Sequence, residues 1–544
     1  MRKLQGLLVA LLLAACAAQS PAPEGAAASR PKLVVFLVID GFPERQVADY
    51  RDQLAPDGLR RFLDRGAWFT EANYGHAFTV TAAGHAVVLT GAYPHRTGII
   101  GNEWYNPATG EPVYCTEDVR YTYIGNKTTK HDGTSPANLK VETVGDVLKQ
   151  SNPLSKVISI SGKDRGAILP AGKTGTAYMY MSQNGEFAST TFYMRAHPQW
   201  VTDFNAAKPA DRYFHVAWKP LLADSEYGRS VPDNQKWFAR GGSLPAMMGE
   251  GMDKPGAAFY GGLLRSPFAD ALALDFARAA IKGESLGQDD APDILAVSLS
   301  GHDYVNHSFG AESRISHDHT LQLDQLLQAF FRDLDAMVGK DNYVAVLTAD
   351  HGFMPAPEYS QMQGRASGRI NATQVVARLN KGLAQKFGDG HWVKHISGPS
   401  FTIDRKLVGE RGAVLDAVMD ETKRLVLAEP GFVAAFTRTE LESGSAKGQP
   451  FFEQMERSWN AEVSGEVAFA LAPYYMFGST SSMTTHGSPH PYDTNVPILM
   501  YGPRWVKPGR IDTRVEVVDI APTLARVLGV PPPPASEGTP LPIN

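Results

Sequence analysis

At 544 residues the chain exceeds the size at which a single hydrophobic core stops growing, so it requires one large domain with insertions or two lobes. A composition of 43% hydrophobic and 20% charged residues excludes a disordered chain. With 52 basic residues against 57 acidic ones and a net charge of -5, the chain lacks the cationic excess of a protein held on nucleic acid by phosphate contacts. No nucleic-acid partner is expected, and a small anionic ligand would have to be met by local cations.

The chain opens with Arg2 and Lys3 ahead of the apolar run Leu7 to Ala15, too short for a comfortable membrane span and suited to a secretory signal. The run ends in Leu13-Ala14-Ala15-Cys16, which resembles a bacterial lipobox, so residues 1–16 are read as a signal with a lipid anchor expected at Cys16. Ordinary cleavage at Ala15-Cys16-Ala17 is the alternative. Either way export follows, to a periplasmic, outer-membrane-tethered or secreted form. Cys16 and Cys115 are the two cysteines, so lipidation of Cys16 leaves no partner for a disulfide. Residues 17–31, rich in Ser, Pro and Ala, read as a flexible tether.

From Lys32 onward strands alternate with helices, as in a mostly parallel sheet covered on both faces. Lys32 to Ile39 is a near-continuous apolar run closed by Asp40-Gly41, the pattern of a buried parallel strand opening into a functional loop. A helix is expected around Leu59 to Leu63, another through Val87 to Thr90, a strand over Val157 to Ile160 and an amphipathic helix over Phe268 to Ile281. Ile294 to Leu299 and Tyr343 to Leu347 read as strands, separated by a helix with Leu323, Leu327, Phe330, Leu334 and Met337 on one face. A strand at Pro497 to Tyr501 and a helix at Val517 to Val527 close the series. Two stretches, about 170–264 and 356–480, are too long to be plain loops and are expected as cap insertions over the carboxyl edge of the sheet. Residues 32–544 are thus read as one α/β catalytic domain with two insertions.

Two acidic-histidine clusters stand directly after such strands: Ser300-Gly301-His302-Asp303-Tyr304-Val305-Asn306-His307 and Thr348-Ala349-Asp350-His351-Gly352. Carboxylate and imidazole are ligands for a divalent transition metal, and strand ends are where an α/β sheet presents its chemistry. Asp303 and His307, four apart, can converge on one ion. Asp350 and His351, being adjacent, can do so only at an irregular strand end. Alone, each pair is as readily a hydrogen-bonded acid-histidine couple, and Asp40 as readily a turn residue. His486, in Thr485-His486-Gly487-Ser488-Pro489-His490, competes with His490 for a ligand role. His317 and His319 flank Asp318 at an expected helix start, where capping is the simpler role.

Thr79, Thr81 and His85 fall just before an apolar helical run. A threonine there is most simply an N-cap, although a helix N-terminus also stabilises an alkoxide and suits a nucleophile that attacks phosphate. Lys163 and Arg165, two apart after a strand, can reach one oxyanion together or serve as surface charge. Asn102 can be a turn residue or an oxyanion donor.

As an ordered set, Asp40, Thr81, Asn102, Lys163 with Arg165, Asp303 with His307, Asp350 with His351, and His486 resemble the active site of the alkaline phosphatase superfamily. The likeness is nearest to secreted, phosphate-irrepressible alkaline phosphatases of the PafA type. It runs from about Lys32 to Leu541, and departs from the family's Thr-x-Pro-Gly-His pattern in having Ala83 in place of proline. The resemblance implies two zinc ions per chain, one held by Asp303, His307 and His486, the other by Asp40, Asp350 and His351 with Thr81 completing its shell. It implies Thr81 as nucleophile, passing through a covalent phosphothreonine, and Asn102, Lys163 and Arg165 as holders of the non-bridging oxygens. Phosphate monoesters are the expected substrates, since their dianion gains more from two cations than a diester does. A phosphodiesterase or nucleotide pyrophosphatase of the same superfamily is the alternative, and a non-catalytic metal- or phosphate-binding lipoprotein is the remote one. The oligomeric state is left open, with a monomer compatible.

Overall fold

The computed structural model describes residues 30–107, 109–479 and 482–543. The expected signal at 1–16, and all but the last two residues of the expected tether, lie outside them. Residues 31–544 form one compact unit, and no described helix is long and apolar enough to cross a membrane.

Nine strands make the main sheet: β1 (Leu33–Ile39), β2 (Ala67–Phe69), β3 (Val157–Ser161), β4 (Thr176–Met181), β5 (Glu186–Ala188), β6 (Asp293–Leu299), β7 (Tyr343–Thr348), β8 (Ile498–Tyr501) and β9 (Gly509–Ile511). Their spatial order is β9-β2-β8-β7-β1-β6-β3-β4-β5. Five of the eight pairings are parallel, and those on either side of β8 together with β4-β5 are antiparallel. The predominantly apolar runs of β1, β6 and β7 are explained by their position, because every residue of these strands is buried.

Register brings the carboxyl ends of the central strands level. Val38 of β1 pairs with Ser298 of β6 and with Thr348 of β7, and Ser298 pairs in turn with Ser161 of β3. Asp40, Ser300, Ala349 and Gly162 therefore leave the sheet at one edge from four adjacent strands. Four helices frame that edge: α1 (Thr81–Thr90), α2 (Asp164–Ala171), α3 (Gly301–Phe309) and α4 (Arg314–Met337).

The span 170–264, expected as an insertion, begins with β4 and β5. Thr176–Met181 is buried along nearly its whole length and extends the main sheet, so the span leaves that sheet only past Ala188, and a small antiparallel pair, Ala217–Trp218 with Ala246–Met247, follows within it. The second span holds a small antiparallel sheet of Val393–Ser397, Ser400–Ile403, Val467–Leu471 and Phe432–Thr437, in that order. The helices Ala372–Phe387 and Leu415–Ala428 share with it a separate hydrophobic cluster that includes Val375, Leu379, Trp392, Phe401 and Val418. This is a folded lobe with its own core.

The cap expected around His317 to His319 is not there. α4 starts at Arg314, with Ser313 capping the Ser316 N–H, and Asp318 lies inside the helix accepting from Trp218, Leu221 and Tyr227.

Candidate metal centre

Two groups of three side chains gather at the shared strand edge. Asp303, His307 and His486 form one, and Asp40, Asp350 and His351 the other, with the candidate ligand atoms of each group all within 4.8 Å of one another. Asp303 and His307 stand one turn apart on α3. Asp350 and His351 lie past the last paired residue of β7, where the chain is irregular enough to aim both at one point. His486 arrives on the loop beyond the inserted lobe. The two groups adjoin, because the rings of His351 and His486 stack with centroids 3.5 Å apart.

The imidazoles are held in one tautomer. Nδ1 of His307 lies 2.8 Å from the Thr484 carbonyl, that of His351 2.8 Å from the Gly352 carbonyl, and that of His486 2.9 Å from the Thr79 carbonyl. A carbonyl only accepts, so each Nδ1 carries the proton and each Nε2 presents a lone pair. Those lone pairs face carboxylate oxygens: His307 Nε2 is 3.4 Å and His486 Nε2 3.6 Å from Asp303 Oδ1, and His351 Nε2 is 3.5 Å from Asp40 Oδ1. Burial, as the main cause, lowers the basicity of His351, and that of His486 further still.

The carboxylates repeat the pattern. Asp40 Oδ1, Asp303 Oδ1 and Asp350 Oδ2 are buried without a hydrogen-bond donor. Three buried carboxylates facing imidazole lone pairs carry a cost that a bound cation removes, and the donor set of oxygen and imidazole nitrogen suits a divalent transition metal. The fit is to one ion per group.

Lys163 is the local counter-charge. Its Nζ lies 2.5 Å from Asp303 Oδ2 and 2.7 Å from Asp40 Oδ2, and 4.9 Å over the Tyr304 ring. Burial opposes its charge, yet the Asp303 and Asp40 carboxylates raise its pKa. Burial pushes the Asp40 carboxyl well up, reinforced by the Asp350 carboxylate and resisted by Lys163. Asp303, despite its burial, is held well below the usual carboxylate range, with the Lys163 ammonium against its Oδ2.

Thr81 is the first residue of α1 and not its side-chain cap, since no side chain of the preceding Val80 or of Thr81 serves that role. Thr81 Oγ1 lies 3.5 Å from His351 Nε2. The cap comes from Asn102, whose Oδ1 accepts from the Ala82 N–H at 2.8 Å. Arg165, at the start of α2, donates through Nη1 to the Tyr114 hydroxyl at 3.1 Å, and that hydroxyl donates to Asp164 Oδ1 at 2.5 Å.

Two residues matter more than the sequence suggested. His85 Nδ1 donates to the Thr81 carbonyl at 2.8 Å and lies 3.2 Å from Asp350 Oδ2, and its Nε2 meets Ser298 Oγ at 2.8 Å. It ties α1 to both β6 and the end of β7. At Gly84 a Cβ would stand 2.0 Å from the Asp350 carbonyl oxygen, so only glycine lets α1 lie directly on that strand end. The spacing Thr-x-x-Gly-His was the available signal. Tyr114 gave none. His490 belongs to neither group, its Nε2 lying 2.8 Å from the Leu471 carbonyl.

The family is set by comparison. Residues 34–488 match the model of the type I phosphodiesterase / nucleotide pyrophosphatase family, and the chain belongs to that family. It is 33% identical over 95% of its length, and 94% of the relative's, to "Alkaline phosphatase PafA" of Elizabethkingia meningoseptica. It is 34% identical over 94% of each chain to a Myroides odoratus protein named "Calcium-transporting ATPase". The crystal structure of wild-type alkaline phosphatase PafA superposes with a TM-score of 0.88 at 31% identity, covering 95% of this chain and 99% of that one. Another crystal structure of PafA, at TM-score 0.86, is of a variant with one threonine, one asparagine, one lysine and one arginine replaced.

Proposed function

We propose that this chain is a two-metal alkaline phosphatase that hydrolyses phosphate monoesters through Thr81. The carrying observation is the convergence of Thr81 at a helix N-terminus, Asn102 on the same helix end, and Lys163 between the two acidic-histidine groups. The residue types replaced in the PafA variant are the same four, with the threonine and asparagine 21 positions apart and the lysine and arginine two apart, as are Thr81 and Asn102 and Lys163 and Arg165 here.

Asp303, His307 and His486 would hold one divalent cation, and Asp40, Asp350 and His351 with Thr81 the other, both taken as zinc. Bound there, the pair supplies Lewis-acid charge beside the attacking and leaving oxygens of an in-line displacement. Thr81 Oγ1, favoured as an alkoxide by the α1 N-terminus, forms a bond to phosphorus as the bond to the leaving oxygen breaks. The leaving alcohol takes up a proton. Water then attacks the phosphothreonine, frees inorganic phosphate and returns Thr81. Lys163, Arg165 and the Asn102 amide hold the non-bridging oxygens throughout. His85 keeps the Thr81 carbonyl and Asp350 in register.

The terminal phosphorus of a nucleoside triphosphate presents the same three non-bridging oxygens, so phosphate release from ATP falls within this reading. The decisive experiment is phosphate release from p-nitrophenyl phosphate by zinc-loaded protein, with ATP as a second substrate. Inorganic phosphate and ADP as first products fit a monoesterase; AMP and pyrophosphate would establish the pyrophosphatase reading instead. Export rests on the sequence of residues 1–16, with Cys16 as the lipid acceptor. Loss of labelled palmitate from a Cys16→Ser variant tests it, and unlabelled wild type would leave simple cleavage.

A further inference from the structure

A cavity of about 320 Å³ opens beside the metal centre and is walled by both the catalytic segment and the inserted lobe. Asn102 and His486 are among the residues that line it, together with Phe78, Ile396, Leu471 and Phe477. Its volume falls at the lower end of the range of small-molecule pockets, roughly 300–1,000 Å³, and an apolar wall with a few polar groups at one end is their usual make-up.

Phe78 is the distinguishing residue. It is half-buried and belongs to none of the hydrophobic clusters that pack the elements together. Its backbone is nevertheless fixed, with the Ala77 and Phe78 N–H groups donating to Ser458 Oγ at 2.7 and 3.1 Å. Gly101 and Gly487 let the chain pass close to the ring, since a Cβ at either would stand 3.2 or 3.3 Å from it. An aromatic ring held by its backbone beside a reactive centre, touched by glycine backbone and part of no hydrophobic cluster, is placed for a ligand.

We propose that this cavity receives the organic group of the phosphate ester, and that the class it selects is esters of aromatic alcohols. This rests on the phosphatase reading, in which His486 belongs to the metal group on the leaving-oxygen side. The cavity borders that histidine, so an organic group extending from the leaving oxygen enters between Phe78 and the lobe. Aromatic-lined walls gain more from a ring than from a small polar alcohol.

The test uses the full zinc-loaded chain, wild type, Phe78→Ala and the cavity-filling Ile396→Trp. It compares kcat/KM for benzyl phosphate and glycerol 2-phosphate, and calorimetric Kd for benzylphosphonate and methylphosphonate. The aromatic-to-small ratio in both measurements should fall tenfold or more in each variant. Using the ratio cancels any general loss in a variant and the intrinsic reactivity of each ester. Ratios within twofold of wild type in both variants would overturn the pocket. Phosphonate binding needs no turnover, so a wild-type protein that hydrolyses neither ester overturns the phosphatase reading while the phosphonate ratio still decides the pocket.

Discussion

His351 and His486 lie face to face, 3.5 Å between ring centroids and 11° from parallel, although they belong to different acidic groups and come from distant parts of the chain. The stack couples the two groups mechanically: neither ring can tilt without moving the other. Metal loss at one group should therefore loosen the other. His486→Ala should lower bound zinc from two per chain to one or fewer, whereas His490→Ala should leave two, because His490 points to a backbone carbonyl elsewhere. Elemental analysis decides it, and the reverse pattern would show that the wrong histidine was assigned.

Thr81→Ala should reduce kcat by about 10³-fold or more while bound zinc stays near the wild-type value, as expected for a lost nucleophile. Thr79→Ala should be much milder, since its hydroxyl donates to the Ser488 carbonyl and only its backbone touches His486. Near-normal turnover in Thr81→Ala would remove it from the covalent step.

Lys163→Ala/Arg165→Ala should cost monoester hydrolysis about 3 kcal/mol or more in kcat/KM, on the scale of a lost charged donor to a transferring oxyanion. A diester carries one charge fewer at phosphorus and should lose much less. The substrates are p-nitrophenyl phosphate and bis-p-nitrophenyl phosphate. Equal losses on both would mean that the pair organises Asp40 and Asp303 without reading the substrate's charge.

Stability should depend on pH through Glu44. Burial raises its pKa to about 8, against the Trp68 Nε1 hydrogen bond at 2.8 Å that favours the anion. Because the folded pKa lies above the unfolded one, the folded state holds the proton more tightly. Its contribution to stability is fully present below about pH 4.5 and is lost as pH rises through 8. Glu44→Gln, which mimics the protonated form, should match wild type near pH 4 and be more stable by a few kcal/mol at pH 8, at about 1.4 kcal/mol per pKa unit. Urea unfolding at several pH values measures the gap, and a constant difference would place the ionisation elsewhere.

The strand ends were legible because β1, β6 and β7 are buried on both faces and so read as predominantly apolar runs that stop at Asp40, Leu299 and Thr348. The ligand candidates followed from residue type at those stops. Asn102 as the cap of α1 was not legible, because that bond joins residues twenty positions apart and leaves no local pattern. Nor was the lobe's sheet: Val393–Ser397 is buried only at its ends and carries no alternation. The Thr81 cap expectation followed a sound local preference, overridden because the hydroxyl faces His351.

The lobe has a temporal consequence as well as a spatial one. It is inserted in the chain between His351 and His486, so a chain made amino terminus first carries Asp40, Asp350 and His351 well before the last member of the other group has been synthesised. The two halves of the centre therefore become available in a fixed sequence, and a nascent or truncated chain ending within the lobe would possess the nucleophile and its neighbouring ligands without the residue that completes the leaving side.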